Sequence, residues 1–233
     1  AEAPAMCHTR VVGQVLEFGS NQPVAGVSLR VVGAIGASVN PVGATAHAEG
    51  DTDVDGRFDL TTGSALEEPL GIVGIVEGDG YHLAATGLAS PLTDESNAYG
   101  PGNAIRDMWA VPLTELDSWN TALAGDAELA EYLPLGEKGG VVGLVRSSET
   151  GDAVAGVTIE STMGDSSDAL IRYLNEAGDA FDGTETSSNG VYIIVNPGLG
   201  EEFDSFMGGE PTTAATGTAG STNNSLFILI FGV

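Results

Sequence analysis

Apolar side chains fall on alternate positions in the first part of the chain, at Val11, Gly13 and Val15, and again at Val27, Leu29 and Val31. A period of two is that of a strand with one face on a core. Asn21-Gln22-Pro23 between them is turn chemistry, so the two runs read as a hairpin. Asp55-Gly56 tolerates positive φ and leads into Phe58 and Leu60, a second turn and strand. Ile72–Val76, a Gly78-Asp79-Gly80 turn, Tyr81–Ala85 and Met108–Pro112 extend the series. Short strands punctuated by regular turns predict a β-sandwich. From Thr114 the spacing changes: Leu116, Trp119, Leu123, Ala127, Ala130 and Leu133 recur at three- or four-residue steps, with Thr114 as a candidate cap. This predicts a packed helical connector over 114–138, interrupted at Gly125-Asp126, before Lys138-Gly139-Gly140 frees the chain.

The pattern then repeats. Val12-Gly13-Gln14-Val15 and Pro23-Val24-Ala25-Gly26-Val27-Ser28-Leu29 recur 130 positions later as Val142-Gly143-Leu144-Val145 and Ala153-Val154-Ala155-Gly156-Val157-Thr158-Ile159. Thr52 to Leu60 recurs as Thr186 to Ile194, with Asn189-Gly190 in place of Asp55-Gly56. Two copies at so long a period predict tandem domains, not a solenoid. The expected organisation is an arm at 1–10, a sandwich at 11–113, the connector, and a second sandwich at 139–233.

A G-x-V strand, a P-V-x-G-V-x-L hairpin partner, a T-x-x-x-G-x-[FY] turn and strand, and an apolar strand closing on Gly80-Tyr81 resemble the carboxypeptidase regulatory-like, or prealbumin-like, module of exported bacterial proteins. The resemblance implies an all-β chain of two Ig-like sandwiches with a non-catalytic role. The second copy keeps the hairpin and turn but departs afterwards into a stretch rich in Gly, Thr and Ala.

Composition narrows the partners. Seven Lys and Arg against 33 Asp and Glu in 233 residues give a net charge of −26, which repels phosphate backbones and anionic membrane surfaces. Lys138 is the only lysine. So many carboxylates with so few cations suit high ionic strength, where screening removes self-repulsion. The longest apolar stretch, Leu226 to Phe231, is too short to span a bilayer as a helix. The opening Ala1-Glu2-Ala3-Pro4-Ala5 reads as the product of signal cleavage, so an exported, cell-surface location is expected. The single cysteine, Cys7, has no internal disulfide partner and is free or bridges two chains.

Three features carry candidate chemistry. Asp51-x-Asp53-x-Asp55-Gly56 with Asp59 spaces carboxylates as a Ca²⁺ loop would, although Thr62 stands where an EF-hand has its bidentate Glu and the second copy replaces the acids with Glu185, Ser187 and Asn189. The alternative is a solvated acidic hairpin. The C-terminal Leu226, Phe227, Ile228, Leu229, Ile230 and Phe231 are continuously apolar and must be buried on both faces. They are either the last strand of the second sandwich or a strand donated to a neighbouring subunit, with Gly208–Asn224 as a flexible arm. Donation predicts a homopolymer built head to tail, with Cys7 as a second intermolecular device. The loop at 90–106 offers Asn97, Tyr99 and Asn103 to a glycan or protein. No G-x-S-x-G or phosphate loop is present, and His8, His47 and His82 lack zinc-ligand spacing. Glu67-Glu68 and Glu201-Glu202 read as solvated turn acids. The expectation is a non-enzymatic structural subunit, with an adhesive module or an accessory to a larger enzyme as alternatives.

If the acidic surface is adapted to salt, unfolding midpoints rise steeply with NaCl in thermal melts; a midpoint indifferent to salt removes that reading.

Overall fold

The computed structural model describes residues 8–64, 66, 68, 70–89 and 102–233. The chain divides into a unit at Ala1–Pro112 and a unit at Leu113–Val233, so the helical segment expected as a connector belongs to the second unit. The first unit runs β1 (Thr9–Glu17), β2 (Ser28–Gly33), α1 (Ala34–Val39), β3 (Ala46–Asp51), β4 (Arg57–Thr61), β5 (Ile72–Glu77), β6 (Tyr81–His82), β7 (Ala84–Ala89) and β8 (Gly102–Pro112). Its two layers are β4-β1-β8-β6 and β3-β2-β5-β7. Strand β1 lies antiparallel to β4 and parallel to β8. Val11, Val15, Leu29, Val31, Phe58, Leu60, Met108 and their neighbours fill the space between the layers. On β4, Phe58 and Leu60 are buried while Arg57, Asp59 and Thr61 are exposed, the alternation the sequence predicts.

The second unit opens with α2 (Leu113–Leu123) and a 3₁₀ turn at Ala130–Tyr132. The predicted helical stripe is buried at Leu116, Trp119 and Leu123. Thr114 lies inside the helix, not at its cap, and its carbonyl accepts from the Ser118 hydroxyl. Then follow β9 (Val141–Arg146), β10 (Val157–Ser161), β11 (Leu170–Tyr173), β12 (Val191–Val195), β13 (Glu201–Met207), β14 (Glu210–Pro211), β15 (Gly217–Ala219) and β16 (Leu226–Gly232). One layer contains β11, β12, β9 and β16 in that order, with β9 antiparallel to β12 and parallel to β16. The other has β13 flanked by β10, with β14 and β15 pairing to β13 at different points. Thus β9 repeats the position of β1, β12 that of β4, and β16 that of β8. The molecule is all-β apart from these short helices.

The sequence repeat is explained by a hydrogen-bonded clamp present in both units. The Thr52 hydroxyl donates to the Val24 carbonyl at 2.8 Å and accepts from the Val27 amide at 3.1 Å, while the Thr52 amide donates to the Val27 carbonyl at 3.0 Å. Thr186 does the same with Val154 at 2.9 Å and Val157 at 3.0 and 2.9 Å. The Gly26 and Gly156 amides close on the Thr52 and Thr186 carbonyls. Gly56 and Gly190 complete the clamp at φ of 71° and 68°, their carbonyls accepting from Val15 and Val145. A Cβ at Gly190 would stand 2.5 Å from the Val145 carbonyl oxygen, so only glycine fits both the turn and the close approach.

Three features depart from the sequence reading. Strand β3 was not expected, because the residues that alternate with the polar ones in Ala46-His47-Ala48-Glu49-Gly50-Asp51 are only Ala and Gly, too small to read as an apolar stripe. The Gly208–Asn224 segment is not a flexible arm: it contains β14 and β15, Thr216 donates to the Asp204 carboxylate at 2.6 Å, and Ser221 accepts from the Gly140 amide at 2.8 Å. The runs at Val11–Val15 and Val27–Val31 do not pair as a hairpin: β1 and β2 lie in different layers, with a single bridge at Leu16 and Pro23 before they part. The C-terminal strand takes the first of its two expected places, the sheet of its own unit.

Replacing Thr186 with Ala strands the buried Val157 amide and is expected to cost about 1–3 kcal/mol in chemical denaturation, as is Thr52→Ala in the first unit. Gly190→Ala is expected to cost more, because strain and backbone collision add. A neutral result for all three variants would deny the clamp its role.

Candidate functional site

The acidic hairpin is held by its own chain. Asp53 Oδ1 accepts from the amides of Asp55 and Arg57, both at 2.9 Å, which closes the turn as an Asx motif. Asp51 accepts from the Ser28 hydroxyl at 2.7 Å. Asp59 receives Arg10 in a two-pronged bond at 2.8 and 2.5 Å, and that bond holds its carboxyl below the usual range. The Asp55 carbonyl accepts from the Gln14 amide group at 2.7 Å. The carboxylates of Asp51, Asp53 and Asp59 therefore each serve a different neighbour. Among the described residues no three His, Cys, Asp or Glu side chains are gathered as metal donors.

Strand β16 is locked by an aromatic bridge. Gly143 of β9 stands opposite Tyr192 on one side and Leu229 on the other. The Tyr192 ring lies over Gly143, where any Cβ would fall 1.9 Å from the ring carbon bearing the hydroxyl. The ring thus crosses β9, and its hydroxyl donates to the Leu229 carbonyl at 2.9 Å. Burial raises this phenol well above its ordinary value, so it remains a donor. Phe231 packs against the same ring at 6.2 Å. Leu226, Ile228, Leu229 and Phe231 are buried, and Phe227 and Ile230 are half-buried. Cys7, Glu67, Asn97 and Tyr99 lie outside the described residues, and of Asn103 only the backbone, paired with Arg10, is described.

Sequence reasoning missed a cleft in the second unit. Glu128, Glu131, Tyr132, Ser167, Asp168, Leu170 and Asn196 line an open cavity of about 620 Å³. One wall is fixed by Arg172, which donates to Asp126 at 2.8 Å and to Glu128 at 2.7 Å. The bond from Arg172 keeps the Asp126 carboxyl below its ordinary value. The hydrogen bond between Tyr132 and Glu131, with Asp168 nearby, raises the phenol. Asn196, at φ of 55°, donates its side-chain amide to the Asp168 carbonyl at 3.2 Å. These residues come from three separate segments, and no local motif announces them.

Behind the cleft stands Glu201, which the sequence reading placed in solvent. It is 5% exposed. Burial pushes its carboxyl up, but the hydroxyls of Ser161 and Ser167 and the Gly198 amide all donate to it and hold it below the ordinary value. The hidden signal was the spacing Glu201, Phe203, Ser205, an inward face with polar residues in two of three places.

No family model matches the chain, and no curated protein does. Among solved structures, the dioxygenase domain of a dioxygenase and carbohydrate-binding protein fusion from Streptomyces sp. SirexAA-E aligns at 22% identity and a TM-score of 0.31, over 47% of this chain and 82% of that one. Hydroxyquinol 1,2-dioxygenase from Pseudomonas putida DLL-E4 aligns at 16% identity and a TM-score of 0.30, over 48% of this chain and 58% of that one. Shaft pilin SpaA from Lactobacillus rhamnosus GG aligns at 14% identity and a TM-score of 0.27, over 97% of both chains. At these values the alignments assign neither chemistry nor partner.

Glu201 makes the second unit sensitive to acid. A carboxyl with a folded value below its unfolded value contributes stability that is complete above the unfolded value, near pH 4.3, and lost as pH falls through the folded value. Stability of the wild type should therefore fall below about pH 4.3, with Glu201→Gln less stable at pH 7 and flatter over the acid range. Parallel pH profiles for the two would remove Glu201 from this role.

Proposed function

We propose that this chain is a non-catalytic structural subunit of a cell-surface or extracellular assembly, built from two prealbumin-like modules. The observation that carries the reading is the clamp made twice by Thr52 and Thr186, which gives both units the same hydrogen-bonded hairpin junction. Its acidic side chains support it. Among the described residues the carboxyls that are shifted, Asp59, Asp126, Glu176 and Glu201, are lowered and brace turns or strands. Subunits with so high a negative charge assemble at high ionic strength or with divalent cations, which brings Ca²⁺ in as a counterion for the acidic surface, Asp51 to Asp59 included.

Strand exchange by Leu226–Phe231 is the assembly route this reading proposes. The parallel site on β9 would be vacated in one copy and filled by another, as in domain swapping. Cysteines at Val142 and Ile228, opposite each other in the β9 to β16 ladder, would tie the strand at home when oxidised. Negative-stain microscopy of the native chain in high salt, with Ca²⁺ or a chelator, is expected to show polymers that the oxidised double variant does not form. Polymers from the oxidised variant would discard exchange, and dispersed monomers in every sample would discard the structural role.

A second reading rests on the cleft. Tyr132 lines the cleft with Glu131, Asp168 and Asn196, a mixture of aromatic, carboxylate and amide groups suited to a sugar. Binding to a neutral oligosaccharide array that disappears in Tyr132→Ala would favour an adhesive module.

A further inference from the structure

The two units treat one sheet edge differently. In the first unit the outer edge of β2 is covered by β3, with Leu29 opposite Gly50 and Arg30 opposite Glu49. In the second unit, among the described residues, β10 pairs with β13 alone. The strand between β10 and β12 in sequence is β11, and it pairs with β12 in the other layer. The slot beside β10 that β3 fills in the first unit therefore has no strand in the second.

What stands there is a side chain. Tyr173, at the end of β11, accepts from the Ile159 amide at 2.7 Å and donates to the Ile159 carbonyl at 3.3 Å. One hydroxyl thus satisfies both outward groups of the middle residue of β10. Thr186 satisfies both groups of Val157, and Glu201 draws in the Ser161 hydroxyl at the far end. Tyr173 is 7% exposed, so the phenol makes these bonds in a dry setting. Three other outer strands are protected by different means: β3 has Glu49 and Asp51, β4 has Arg57 and Asp59, and β14 has Pro211. Strand β10, Val157-Thr158-Ile159-Glu160-Ser161, has a single charge.

We propose that the outer edge of β10 is a self-association surface that the Tyr173 hydroxyl holds closed. The occupant is the same strand of a second copy. An antiparallel pair about a two-fold at Ile159 sets Ile159 against its own copy and Glu160 against Thr158, so the one acidic side chain on each edge does not meet its like. Ile159 would then exchange both backbone bonds with its counterpart, in place of the two it makes to Tyr173. In a chain of net charge −26 a five-residue edge with one acid meets less repulsion from its own copy than the charged edges of β3 and β4 would. The inference does not depend on the structural role proposed above.

The test uses the full chain in high salt and its Tyr173→Phe variant, which keeps the ring and removes the hydroxyl. In the wild type the Ile159 amide is expected to exchange at least about a hundredfold more slowly than an open surface amide, close to the ladder amides of Thr158 and Glu160. In the variant at low concentration it should exchange at least about tenfold faster than in the wild type. Sedimentation velocity of the variant should show a dimer that grows with concentration, with Ile159 protected again as it forms. A fast Ile159 amide in the wild type overturns the proposal whether or not the variant folds. So does a variant that stays monomeric at every concentration, or one that dimerises while Ile159 remains fast.

Discussion

A threonine hydroxyl buried at the foot of a hairpin closes each sandwich. The chain that leaves the first strand must enter the opposite layer, and its amide and carbonyl at Val27 or Val157 face the threonine as it does so. Thr52 and Thr186 meet both groups with their own backbone and hydroxyl, and then reach the carbonyl of Val24 or Val154. A buried amide left unpaired costs more than a typical hydrogen bond contributes, so the threonine is demanded by the crossing of the chain from one layer to the other. Gly56 and Gly190 follow four residues later because the turn must bring the next strand back within reach of Val15 or Val145.

Once the clamp is set, the two units diverge in how they finish their sheets. The first uses β3 to cover β2, and the second sends the equivalent segment to β12 and closes β10 with Tyr173. The second also bridges three strands with one ring: Tyr192 needs Gly143 beneath it to reach Leu229. Polar atoms inside this unit are paired with specific partners, as Glu201 is with two serines and the Gly198 amide. Such networks rigidify a domain when complete.

The strands, the turn glycines and the duplication could be read from residue order, because each rests on local periodicity or on a conformation few residues adopt, but which strand pairs with which could not, since β1 and β2 part into different layers after the turn. Strands β3 and β13 could not: Ala46 to Asp51 carries no apolar stripe, and the inward face of Glu201 to Met207 includes a carboxylate whose burial depends on serines 34 and 40 positions away. The acidic hairpin does not show by its spacing what its acids bond within the chain. Its spacing fits a cation, yet Arg10 and Ser28, 49 and 23 positions distant, take Asp59 and Asp51. The cleft around Tyr132 assembles from segments that share no motif. Local pattern reports how a strand lies; long-range polar pairing decides what an acid does.

Native-state hydrogen exchange at the clamp tests this account most directly. The amides of Val27, Thr52, Val157 and Thr186 should be among the slowest in their units and should open only with global unfolding. If they exchange rapidly while the central ladders of β1 and β9 stay protected, the clamp is a surface embellishment and the sandwiches are held by burial alone.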